Sequence, residues 1–171
     1  PKIFGDYQWN IEPIVQRARF IDALECGNKH ELHLSSIALE ARKMGLPDNY
    51  FKRLCKGSNS SKISKAACAF TPVYEKEFAI VWIRSIGSIW PQVLQILGDI
   101  GEQYHQFIID QGLSDILSLP PLMKASELIS VLQIRGNLRI KEALDEMFLW
   151  QVLHPDKPKE DFIAYKLSSR P

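Results

Sequence analysis

Apolar residues along this chain recur mostly three and four positions apart, the spacing of amphipathic helices. Ile14, Val15, Ala18, Ile21 and Leu24 share one face, with Asn10 placed to cap them, Pro13 in the first turn, and Gly27-Asn28 to stop them. Pro1–Trp9 has no clear period and reads as an extended arm. Asn28–Leu34 reads as a polar loop. A helix over 37–44 is stopped by Gly45, and Pro47-Asp48 opens a second whose apolar side is Tyr50, Phe51 and Leu54. Gly57-Ser58-Asn59-Ser60-Ser61 reads as a flexible linker, and Ile63, Ala66, Ala67 and Phe70 as a short helix before Thr71-Pro72.

From Val73 the chain turns strongly apolar. Tyr74, Phe78, Val81, Trp82 and Ile86 follow a helical period, and Pro91 opens a new helix with a bend near Trp90. Val93, Leu97, Ile100, Tyr104 and Phe107 form a heptad-like stripe suited to a bundle or a dimer interface, in which Gly98 and Gly101 permit close backbone approach. Gly112 ends that helix. A turn at 114–117 leads to Leu119-Pro120-Pro121. Leu128, Val131 and Leu132 then open a helix stopped at Gly136, and Asn137 caps a last long one carrying Leu138, Ala143, Leu144, Met147, Phe148 and Leu149. Residues 157–171 read as a polar tail with one helical turn around 162–165. The expected fold is all-α: a helix-turn-helix-like unit over 1–57, a linker and short helix over 58–72, and an apolar helical bundle over 73–171.

At 46% hydrophobic and 24% charged, the 171 residues have the composition of a folded protein rather than a disordered one. Arg84, Gly87 and Pro91 interrupt the apolar run 78–97, so it reads as buried core and no membrane partner is expected. Cys26, Cys55 and Cys68 cannot all pair internally and show no C-x-x-C spacing, which favours a reducing intracellular compartment, cytoplasmic or nuclear. No signal or transit pattern is visible; without an initiator Met, Pro1 reads as the start of a processed chain or an excised domain. Cys26, His30 and His33 have zinc-ligand chemistry, but no fourth Cys or His lies close and the H-E-x-x-H motif is not matched, so no metal or other cofactor is expected.

The net charge of +1 conceals an asymmetry: 11 basic against 7 acidic residues over 1–70, and 10 against 13 over 71–171. Within 42–65 the cations Arg42, Lys43, Lys52, Arg53, Lys56, Lys62 and Lys65 face only Asp48, an excess that suits a polyanionic partner.

Ala41-x-x-x-Gly45-Leu46 followed by Phe51-x-x-Leu54 resembles the helix-turn-helix of repressor-type DNA-binding domains over 37–57, about 21 residues. In that family a small residue precedes the turn glycine by four, and apolar residues follow it at one, six and nine. Glu40 departs from the pattern, since the family places an apolar residue there. The resemblance implies that Asp48, Asn49 and Lys52 face base edges, while Arg42, Arg53 and Lys56 hold phosphates. Lys62 and Lys65, beyond the matched residues, join the expected DNA-binding set through the basic excess. It also implies a transcriptional regulator that binds duplex DNA as a homo-oligomer through its C-terminal helices. The alternative is a helical protein–protein interaction module without DNA binding. Catalysis has the least support: Ala41-x-x-x-Gly45-Leu46-Pro47-x-x-Tyr50 is also similar to a helix of gamma-glutamylcyclotransferases, but that family's Tyr-Gly-Ser-Asn loop is missing. No G-x-S-x-G, Walker A or dinucleotide fingerprint is present either.

Overall fold

The computed structural model describes residues 12–23, 27–46, 55 and 58–168. All regular structure among them is helical: α1 (Glu12–Ala23), α2 (Lys29–Lys43), α3 (Ser60–Cys68), α4 (Lys76–Ile86), α5 (Trp90–Gln95), α6 (Asp99–Asp110), α7 (Ala125–Leu132), α8 (Asn137–Leu153) and α9 (Lys159–Ser168). Short 3₁₀ turns at Gly87–Ile89 and Ile116–Ser118 complete the set. The arm over 1–9 and the helix expected over 47–56 lie outside the described residues, Cys55 excepted. Among the described residues no helix is long and apolar enough to cross a membrane.

The chain divides into two compact units. The first comprises 1–72 and 86–107, the second 73–85 and 108–171. The sequence reading grouped 73–171 as one bundle, whereas here residues 86–107 belong with the first unit.

In the first unit α2 packs against both α1 and α3, and α3 against α5. α2 begins at Lys29, so 28–34 is not the loop that its polar residues suggested. Leu32 and Leu39 lie seven apart and are fully buried, and between them the buried face is completed by Ser35 and Ser36. Ser35 Oγ donates to the Glu31 carbonyl at 2.7 Å, an i−4 bond that lets a hydroxyl enter a packed face. The expected flexible linker is also ordered from Ser58 onward. The Asn59 N–H donates to Glu31 Oε1 at 2.5 Å, and the fully buried Ser60 donates from Oγ to the Glu31 carbonyl at 3.1 Å. One residue of α2 therefore ties down the start of α3.

The heptad-like stripe is broken. α5 ends at Gln95, Gly98 takes φ +63°, and α6 restarts at Asp99. The two registers are not continuous, so Ile100 is half exposed while Tyr104 is fully buried. Tyr104 meets Phe70 edge-to-face at 5.0 Å. α4 ends at Ile86, Gly87 takes φ +71° within a 3₁₀ turn over Gly87–Ile89, and a new helix opens at Trp90 with Pro91 in its first turn.

The second unit centres on Met123, Leu128, Leu132, Ala143, Met147 and Phe162. Leu138, expected on the apolar face of α8, is 70% exposed. The region read as a polar tail instead forms α9, whose Phe162 is fully buried and lies 5.6 Å from the Trp150 ring. α9 is further tied by ion pairs from Lys159 to Glu127 at 2.5 Å and from Lys166 to Glu146. The hydrogen bond from Lys159 to Glu127 is the main reason the lysine's pKa is raised. Gln151 braces the Pro-Pro segment: its Nε2 donates to the Pro120 carbonyl at 2.8 Å and its Oε1 accepts from the Leu122 N–H at 3.2 Å.

Candidate nucleic-acid interface

The end of α2 is closed by Gly45 at φ +81°, a conformation that a Cβ disfavours. Its N–H donates to the Arg42 carbonyl at 2.9 Å, and the Leu46 N–H donates to the Ala41 carbonyl at 3.1 Å. These two bonds make a Schellman closure, with the usual apolar contact across it: Leu46 packs on a small cluster of Ala38, Ala41 and Cys55. Gly45 thus ends α2 in the left-handed conformation, as a glycine at that position can. Phe51 and Leu54 lie outside the described residues. Glu40 is buried where the resemblance calls for an apolar side chain, and Lys43 Nζ sits 3.2 Å from its Oε1.

The predicted phosphate-binding cations are in unlike places. Arg42 is half-buried; its Nε donates to Ser64 Oγ at 3.2 Å and a terminal nitrogen donates to Ser61 Oγ at 3.1 Å. It ties α2 to α3. Lys62 and Lys65 are exposed, three apart on α3 and therefore on neighbouring positions of one face. Asp48, Asn49, Lys52, Arg53 and Lys56 lie outside the described residues. Sequence reasoning missed Ser61 and Ser64, which bind Arg42 from 19 and 22 positions away. Their i, i+3 spacing was the available signal that both share a helix face.

Two further side-chain arrangements bear on chemistry here. Burial pushes the Cys55 thiol up from its ordinary value of 9.0, with the nearby Arg42 charge acting in the opposite direction. His33 Nε2 lies 3.0 Å from Asp22 Oδ1, and His30 is exposed; Cys26 lies outside the described residues. Among the described residues no group of three or more His, Cys, Asp or Glu is placed to hold a metal ion. Two exposed lysines on one helix face have the charge and reach to meet phosphate oxygens.

No protein-family model and no solved structure matches the chain. Two tRNA nucleotidyltransferases of Schizosaccharomyces pombe do. The chain is 30% identical to cca2 over 61 residues, which cover 36% of this chain and 13% of that protein. It is 28% identical to cca1 over 60 residues, 35% of this chain and 12% of that protein. The matched stretch spans about an eighth of either relative.

Proposed function

We propose that this chain is an all-helical tRNA-holding part of a tRNA nucleotidyltransferase-like protein. The observation that carries the reading is the similarity to two proteins of that name, 30% and 28% identical over about 60 residues. The basic excess over 42–65 agrees with it, because RNA and DNA backbones attract lysine by the same counterion release. Lys62 and Lys65 contact phosphates, and Arg42 holds the helix that carries them. The role assigned to these residues is binding; no step of nucleotidyl transfer is assigned to them.

A second reading is supported by the Schellman closure at Gly45 and the packing of Leu46 on Ala41, which suit a helix-turn-helix that reads duplex DNA. One experiment separates the two. The folded protein is titrated into labelled tRNA and into duplex DNA of equal phosphate number, at low and at physiological salt. Tighter binding to tRNA, weakened by Lys62→Ala/Lys65→Ala with the salt slope reduced by about 2, supports the tRNA reading. Failure to bind tRNA even at low salt overturns it, and tighter binding to the duplex favours the second.

A further inference from the structure

The second unit contains a groove that the tRNA reading leaves unused. Its walls are α4 and α8, which contribute Ile80, Val81 and Arg84 from one side and Lys141, Asp145 and Phe148 from the other. The spacings 80/84 and 141/145/148 place each set on one helix face. The cavity measures about 270 Å³, just under the ~300 Å³ at which ligand pockets usually begin, so it suits one flat ring rather than an extended ligand.

Its polar groups are arranged in a definite way. The Arg84 guanidinium carbon lies 4.3 Å from the centroid of the Phe148 ring, and Arg84 Nε donates to Asp145 Oδ1 at 3.0 Å. The cation–π contact and the ion pair together hold the guanidinium at two points. Arg84 lies over the Phe148 ring and lines the groove, so its guanidinium is within reach of a planar ligand bound there. Asp145 keeps a second carboxylate oxygen as an acceptor. Lys141 is exposed and has no ion-pair partner among the described residues.

We infer that this groove binds one unpaired nucleotide of an RNA strand: the base stacks on Arg84, an exocyclic amino group donates to Asp145, and Lys141 holds the adjoining phosphate. Asp145 argues against a bare inorganic anion, which it would repel, and in favour of a ligand that carries a donor beside its negative charge. An apolar floor under a fixed guanidinium is the surface on which bases stack in single-strand binding. The inference rests on the chain's being an RNA binder, but it concerns a different surface from Lys62 and Lys65.

The test uses the whole chain and two labelled single-stranded probes, tetracytidylate and tetrauridylate, with binding followed by anisotropy. Tetracytidylate binds more tightly, by about fivefold, because only cytosine presents an amino group to Asp145. Arg84→Lys keeps the charge and can keep the pair with Asp145, but it removes the planar face; it weakens tetracytidylate about tenfold. Lys141→Ala weakens both probes alike. Circular dichroism melts of the variants are compared with wild type to show that each is folded. Equal binding of both probes, insensitive to Arg84→Lys, overturns the inference, as does tighter binding of a tetraglutamate peptide. Binding of tRNA is measured on the same preparations: its absence sinks the tRNA reading, whereas retained tRNA binding with no effect of Arg84→Lys on tetracytidylate sinks the groove alone.

Discussion

Replacing Gly101 by alanine adds one carbon where the first unit has no room for it. A Cβ at this buried position would lie 1.8 Å from the Leu94 carbonyl oxygen, 2.7 Å from the Leu94 carbonyl carbon and 3.1 Å from its Cα. All three are backbone atoms, so no side chain can swing aside. Restoring a 3.0 Å separation from the oxygen requires α5 and α6 to part by about 1.2 Å, the difference between 3.0 and 1.8 Å. That movement loosens the buried Val93, Leu94 and Tyr104. Overpacking of a rigid contact typically costs about 1–3 kcal/mol, and a clash this deep between two backbones belongs at or above the upper end.

A gain works against this. Gly101 lies inside α6 with no positive φ, and alanine is the better helix former by about 1 kcal/mol. The net expectation is a loss of about 2 kcal/mol, read in urea melts as a lower midpoint at unchanged slope. Gly27→Ala is the control: nothing lies within 4 Å of its Cβ and its φ is not positive, so it should stay within about 0.5 kcal/mol of wild type. If Gly101→Ala matches wild type, or is more stable by the propensity gain alone, the close approach of Gly101 to Leu94 is wrong.

Phe162→Ala removes the fully buried ring that seats α9 and should cost about 3–5 kcal/mol by denaturant melt; a loss below about 1 kcal/mol would mean that α9 is not docked. Gln151→Ala breaks both bonds that brace residues 120–122 and should cost about 1–2 kcal/mol, with faster hydrogen exchange of the Leu122 amide as its local signature. For Cys55, burial raises the folded pKa above the unfolded one, so its thiol contributes stability below the unfolded pKa that is lost as pH rises through the folded value. Wild type should therefore lose stability relative to Cys55→Ala as pH rises past the ordinary thiol value of 9.0, and a difference that stays flat there would refute the raised pKa.

Helix ends were the most legible feature of the sequence, because they depend on single residues. Gly45 and Gly112 follow helices at positive φ, where the sequence reading stopped them, whereas Asn137, read as the cap of α8, is its first helical residue and Gly136 holds the cap position. Faces were less legible where polar side chains are buried. The first half of α2 was hidden because Ser35 and Ser36 occupy positions where a hydrophobic pattern needs Leu or Val. The C-terminal helix was hidden for the opposite reason: its anchor is one aromatic residue, Phe162, within a charged stretch. The heptad stripe misled because its spacing passes straight through Gly98, where the backbone changes hand.

The basic segment shows why charge read from a sequence is not charge presented at a surface. Arg42 is half-buried and bound to two serines, and Lys43 faces a buried carboxylate, so among the described cations of 42–65 only Lys62 and Lys65 are exposed and unpaired. These two follow Ser61 and Ser64 in the sequence by one residue each. A helix turns by about 100° per residue, so holding the two serines against Arg42 fixes the rotation of α3 about its axis and turns both lysines away from α2. Arg42 is then a positioning residue for α3. If Lys62 and Lys65 hold phosphates as proposed, its loss would weaken binding by letting α3 roll, and lysine at that position, with one ammonium in place of a guanidinium fork, could not hold both serines in the same geometry.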